Sequence, residues 1–156
     1  MRMRYGYISR ETLIITANIS KVAYVEADTR VKTTALLSQS NATTGLARIS
    51  HAAAGNSTYV FDSTAGAGIV AYVVDTGILV THSEFQGRAT FGANFANTVN
   101  TDENGHGSHV AGTIGGKTFG VAKSVSLVAV KVLDADGAGT NSDTISGLQF
   151  GKCTWK

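Results

Sequence analysis

Two residues of this chain could do chemistry together. Asp75 ends the apolar run Ile69-Val70-Ala71-Tyr72-Val73-Val74 and is followed by Thr76-Gly77. His106 lies 31 positions later, between Gly105 and Gly107, and heads the segment His106-Gly107-Ser108-His109-Val110-Ala111-Gly112. A carboxylate that accepts a hydrogen bond from imidazole Nδ1–H holds the ring in one tautomer. It also supports the imidazolium that forms when the ring takes a proton from a hydroxyl. Histidine suits the task because it titrates near neutral pH. Asp75 and His106 thus read as two of the three members of a nucleophilic triad. The third would be a nucleophilic hydroxyl, and no serine of these 156 residues stands in a Gly-x-Ser-x-Gly setting. Taken singly, a strand-end Asp more often forms a turn or caps a helix, and a lone His-Gly carries nothing; their combination carries the reading.

The elements that must position the pair can be read from the same pattern. Ile69 to Val74 is continuously apolar, as expected of a parallel strand covered on both faces. His106 to Ile114 places Val110, Ala111 and Ile114 on one side of a short helix. Ser126 to Leu133 reads as a second buried strand and Asp134 to Gly139 as a turn-rich loop. Asn141 to Phe150 starts a helix, with Asn141 or Ser142 as its N-cap. Strand, helix, strand, helix predicts an α/β fold with a parallel sheet flanked by helices. Functional groups gather at the carboxyl ends of such strands, where Asp75 stands. Gly105 and Gly107 are expected to let substrate and nucleophile approach the ring.

Competing chemistry is less well supported. His106 and His109 share a helix face, but zinc enzymes favour His-Glu-x-x-His and position 107 is Gly. Asp134 and Asp136 lack the spaced carboxylates and closing Glu of a calcium loop. No metal and no cofactor are expected. His109 is expected to pack beneath His106, and His51 and His82 to lie on the surface. Ser108 is expected to point away from the imidazole.

Composition narrows the class. A hydrophobic content of 43% with 15% charged residues is that of a globular chain. A net charge of +2 without a dense basic block gives no reason to expect nucleic acid or a membrane surface as partner. The single cysteine, Cys153, excludes an intrachain disulfide. Proline is absent while glycine numbers 18, which for a loop-rich enzyme suggests that a Pro-bearing part lies elsewhere. Met1-Arg2-Met3-Arg4 is basic, but Leu13-Ile14-Ile15 is too short for the apolar core of a secretory signal.

The Asp75 and His106 motifs resemble those of the subtilisin-like serine proteases (peptidase S8), in which the chain order is Asp, His, Ser. Two further segments extend the resemblance to the fungal, proteinase K-like group. Val22-Ala23-Tyr24-Val25-Glu26-Ala27-Asp28 resembles the last strand of the inhibitory propeptide, and Thr44-Gly45-Leu46-Ala47-Arg48-Ile49-Ser50-His51 the start of the mature enzyme, where Thr44 replaces the usual Trp. The resemblance divides the chain into 1–18, unassigned; 19–31, a propeptide remnant; 32–56, connection and start of the mature region; 57–149, the N-terminal part of the catalytic domain; and 150–156, a tail unlike the family. It implies a secreted, extracellular, monomeric endopeptidase acting on protein or peptide substrates, with its own propeptide as inhibitor.

The resemblance also implies that Leu133, Gly137, Ala138 and Gly139 form a substrate-binding edge, where an extended peptide adds as a strand. Without the serine, the polypeptide is expected to be inactive by itself, truncated before its nucleophile. The competing reading is a non-catalytic peptide-binding fragment, or a gene-model artefact without activity.

Overall fold

The computed structural model describes residues 35–154. The Val22–Asp28 strand and the propeptide reading lie outside these residues. A three-stranded parallel sheet positions the site. Its central strand is β5 (Ser126–Lys131), flanked by β3 (Val70–Asp75) and β4 (Ala89–Asn94). The register sets Asp75 and Asn94 on either side of Lys131, at the carboxyl end of all three strands.

Alternation along β5 divides its side chains between two helices. Leu127 and Ala129 join Val73, Ile78, Phe85, Ala89 and Ala111 in the main apolar cluster, which packs against α2 (His106–Gly115). Each large side chain buried there stabilises the fold by roughly 1.5–3 kcal/mol. Val130, Val132 and Val74 meet the opposite helix, α3 (Asn141–Thr154), which comes close at Gly147. Helices therefore flank the parallel sheet, as the α/β reading expected.

Some details differ from expectation. β3 is an edge strand among the described residues, and Ile69 and Val70 at its start are exposed rather than covered. The N-cap of α3 is Thr140, one residue earlier than expected. Thr140 Oγ1 accepts from the Asp143 backbone N–H at 3.1 Å, while the Asp143 carboxylate accepts from the Thr140 N–H at 3.2 Å. This reciprocal capping outcompetes a cap at Asn141 or Ser142 because it satisfies two backbone donors at once. The helix also runs through Gly151 to Thr154.

The stretch read as a connection contains regular structure. β1 (Leu36–Gln39) pairs antiparallel with β2 (Tyr59–Asp62), and α1 (Thr44–Ser50) lies between them. α1 has only seven residues and no side-chain cap, so burial of Leu46 and Ala47 holds it rather than intrinsic propensity. Tyr59 stacks on Phe61, donates its hydroxyl to the Val121 carbonyl at 2.9 Å and lies under the Lys123 ammonium. These contacts tie the hairpin to the loop that follows α2.

Candidate active site

Asp75 is the last residue of β3 and His106 the first of α2. Between them the chain makes an excursion and returns through Gly105, whose φ of +102° is open to glycine at little cost. His106 Nδ1 lies 2.8 Å from Asp75 Oδ1 and 2.9 Å from Oδ2. A carboxylate only accepts, so Nδ1 carries the proton and Nε2 is left with its lone pair. The Asp75 side chain is 13% exposed and the imidazole 61%. The carboxylate is thus sheltered while the ring is open to an approaching group. The hydrogen bond that His106 donates to Asp75, and the charge of that carboxylate, raise the His106 pKa above the ordinary histidine value; the slight burial of the ring opposes this and the Asp102 charge adds to it.

Around this pair the structure assembles three residues that the sequence reading did not single out. Thr76, 1% exposed, donates its N–H to Asp75 Oδ1 at 2.7 Å. Its hydroxyl donates to Asp102 at 2.8 Å and accepts from the Gly107 N–H at 2.9 Å. Asp102 also accepts from the N–H groups of Gly105 and Ser108, both at 2.9 Å, and from the Ser108 hydroxyl at 2.6 Å. A carboxylate at the start of a helix satisfies orphan donors and meets the positive end of the macrodipole. Lys131 is fully buried; its ammonium donates to the carbonyls of Thr76 at 2.7 Å and Leu133 at 2.9 Å, with Glu103 at 3.5 Å. Two signals were available in the sequence: an Asp shortly before a helix start, and a lone Lys inside an apolar strand.

Burial raises the Asp102 carboxyl, but the donors from Ser108, Gly105 and Thr76 outweigh it and hold the pKa at about 2. Folding therefore depresses this pKa below its ordinary 3.8. The resulting stability is complete above the unfolded value and is lost as pH falls through the folded one. Chemical denaturation should show stability declining between about pH 4 and pH 2, and the decline should be shallower in Asp102→Asn. An identical slope in the variant would contradict this assignment.

The glycines beside His106 do a different job from the one expected. A β-carbon at Gly107 would overlap the Gly77 carbonyl oxygen and press on the Thr76 hydroxyl. Gly107 therefore admits the turn that bears Asp75, not substrate. At Gly139, likewise, a β-carbon would overlap the Val132 carbonyl oxygen, so the space is filled by the chain itself. Gly137 is glycine for its φ of +75°. Leu133, Gly137, Ala138 and Gly139 lie in the loop after β5, which is closed by Asp134 accepting from the Asp136 and Ala138 N–H groups. Asn104 donates to the Ala135 carbonyl at 2.9 Å, which joins this loop to the segment before His106.

His109 is exposed rather than packed beneath His106. Its position on the first turn of α2 turns it into a groove of about 750 Å³ beside Leu46, Ile49, Phe85, Phe119 and Val121. Ser108 points away from the imidazole, as expected: its hydroxyl donates to Asp102 and accepts from the Leu79 N–H. His82 is exposed and caps the 3₁₀ turn Ser83–Phe85, while His51 is partly buried through its contacts with Ala47 and Ser50.

A parallel α/β sheet with a carboxylate at one strand end, bonded to an imidazole at the next helix start, matches a known family. The model of the subtilase family, peptidase S8, matches residues 66–151, and the chain belongs to that family. It is 55% identical over 146 residues to a subtilisin-like protease of Coccidioides posadasii, covering 93% of this chain and 37% of that protein. It is 57% identical over 130 residues to subtilisin-like protease 2 of Pseudogymnoascus destructans, covering 83% of this chain and 32% of that protein. Among solved structures, a cold adapted subtilisin-like serine proteinase superposes with a TM-score of 0.71 at 44% identity, over 75% of this chain and 44% of the other. The chain thus spans about a third of the length of these curated relatives.

Proposed function

We propose that this chain supplies the carboxylate and imidazole of a subtilisin-like Asp-His-Ser triad, and that the 156 residues alone do not hydrolyse peptides. The observation that supports it best is the Asp75 carboxylate straddling His106 Nδ1 at 2.8 and 2.9 Å beneath an otherwise open ring. In the reaction, His106 Nε2 takes the proton of a serine hydroxyl as its oxygen attacks the peptide carbonyl. Asp75 holds the ring and supports the imidazolium. The imidazolium then gives the proton to the leaving amine, and water, activated by the same ring, releases the acyl group. Ser108, the serine beside His106 in the sequence, does not take that part, since its hydroxyl is engaged with Asp102 and Leu79.

The substrate is a protein or peptide, bound as an added strand along Leu133, Gly137, Ala138 and Gly139. Residues 19–31 act as part of an inhibitory propeptide, and the enzyme works outside the cell as a monomer, as the family resemblance implies. A fluorophosphonate probe, which labels only an activated serine, tests the reading together with a general peptide substrate. The chain alone should neither label nor turn over. Joined after Gln149 to the C-terminal portion of a related subtilase, it should do both, and His106→Ala should abolish turnover. Turnover by the lone chain, lost in His106→Ala, would overturn the claim of inactivity. A folded chimera indifferent to His106→Ala would overturn the triad role.

A further inference from the structure

We infer that Thr76, through its hydroxyl link to Asp102 and Gly107, is the positioning residue that locks the Asp75 carboxylate onto His106. The inference rests on the triad reading, and it names a residue that touches neither the imidazole nor a substrate. Every polar atom of Thr76 is engaged, and its partners lie on four different segments. Its N–H binds the Asp75 carboxylate at 2.7 Å and fixes the rotation of that carboxylate. Its hydroxyl donates to Asp102 at 2.8 Å and accepts from the Gly107 N–H at 2.9 Å, next to His106. Its carbonyl accepts from Lys131 at 2.7 Å. Asp102 in turn binds the first turn of α2 at Gly105 and Ser108.

The Asp75 and His106 segments are 31 residues apart. Between them, one bifunctional hydroxyl is the buried polar bridge, because it can donate to a carboxylate and accept from an N–H at once. The Asp102 carboxylate is already held by the N–H groups of Gly105 and Ser108, and the hydroxyl extends that anchor to the Gly107 N–H. The dyad itself is exposed on the imidazole side, where water competes with its hydrogen bond. A sheltered tie beneath it is what keeps the two segments at bonding distance.

The charged groups around the unit are Asp75 from β3, Asp102 and Glu103 from the loop before α2, and Lys131 from β5. Replacing the hydroxyl with a methyl leaves these charges in place. A change in His106 titration on Thr76→Val therefore reports the geometry of the dyad rather than a lost charge.

The experiment is an NMR titration of the ring nitrogens of the four histidines in the full chain, for wild type, Thr76→Val, Thr76→Ser and Asp75→Asn. Asp75→Asn should move the His106 pKa down, which checks the dyad. Thr76→Val should also move it down and speed amide exchange of Gly107 about tenfold, the effect of losing roughly 1.4 kcal/mol. Thr76→Ser, which keeps the hydroxyl, should retain wild-type values for both. A folded Thr76→Val protein with the wild-type His106 pKa would overturn the inference while leaving the dyad intact. An unmoved pKa in Asp75→Asn would instead overturn the triad reading. If Thr76→Val does not fold, Thr76→Ala takes its place: it removes the hydroxyl and leaves every charge around the dyad where it is. An unmoved His106 pKa in that variant also overturns the inference.

Discussion

In an active chimera built on residues 19–149, Asp75→Asn should lower kcat by roughly 10⁴. The magnitude follows from what the carboxylate does. Both of its oxygens lie within 2.9 Å of His106 Nδ1, and one is fixed by the Thr76 N–H. An asparagine in the same place presents an amide NH₂ where an acceptor is needed, or an oxygen without charge. The first option favours the tautomer with its proton on Nε2, which cannot accept from serine. The second leaves the imidazolium unsupported at the moment it forms. Steady-state kinetics and an NMR titration of His106 would be compared in the same folded variant. The histidine pKa should fall, because the Asp75 hydrogen bond and charge are what chiefly raise it. A loss in kcat below about tenfold, which corresponds to roughly 1.4 kcal/mol, would show that Asp75 is not the orienting carboxylate.

The second large effect is expected at Gly107, in the full chain and without any chimera. Gly107→Ala should cost about 3 kcal/mol or more, because the added methyl meets backbone on the facing turn and not the end of a flexible side chain. To relieve the overlap, α2 must move away from the Asp75 turn, which would stretch the Gly107–Thr76 and His106–Asp75 hydrogen bonds together. Gly112 provides the control. It lies in the same helix with nothing near its missing side chain, so Gly112→Ala should stabilise by about 0.5–1 kcal/mol through helix propensity. Urea denaturation of the two variants should therefore give shifts of opposite sign. Equal and small effects would mean that the close approach at Gly107 is not real.

The resemblance that named the site also named a substrate edge, but the glycines that suggested it have internal explanations. Gly139 accommodates the Val132 carbonyl and Gly137 a positive φ. The edge therefore stands on the family likeness and on the Asn104–Ala135 hydrogen bond that sets the loop beside the dyad. Composition and spacing alone do not carry it.

Local signals made part of this molecule legible in advance. The apolar runs before Asp75 and around Val130 are long enough to declare strands, and the spacing of Val110, Ala111 and Ile114 declares a helix. Asp75 and His106 were legible because each sits at the end of such an element, beside glycines that few other settings need. α1 and β4 were not legible. Gly45 and Gly92 and the polar residues around them interrupt any apolar pattern, and the two elements form because Leu46, Ala47 and Ala89 are buried in the tertiary structure.

The sequence by itself determined which two residues are the candidates for the chemistry and which elements carry them, since both depend on residue type and near-neighbour order. Only the tertiary structure decided what holds them together. Thr76, Asp102, Gly107 and Lys131 meet through hydrogen bonds and close approaches between segments 26 to 55 residues apart. No periodicity encodes such contacts, because burial and directional hydrogen bonding act between whatever groups the fold brings within reach. A threonine after an aspartate reads as a turn residue until its hydroxyl is seen between a carboxylate and the N–H of a facing helix.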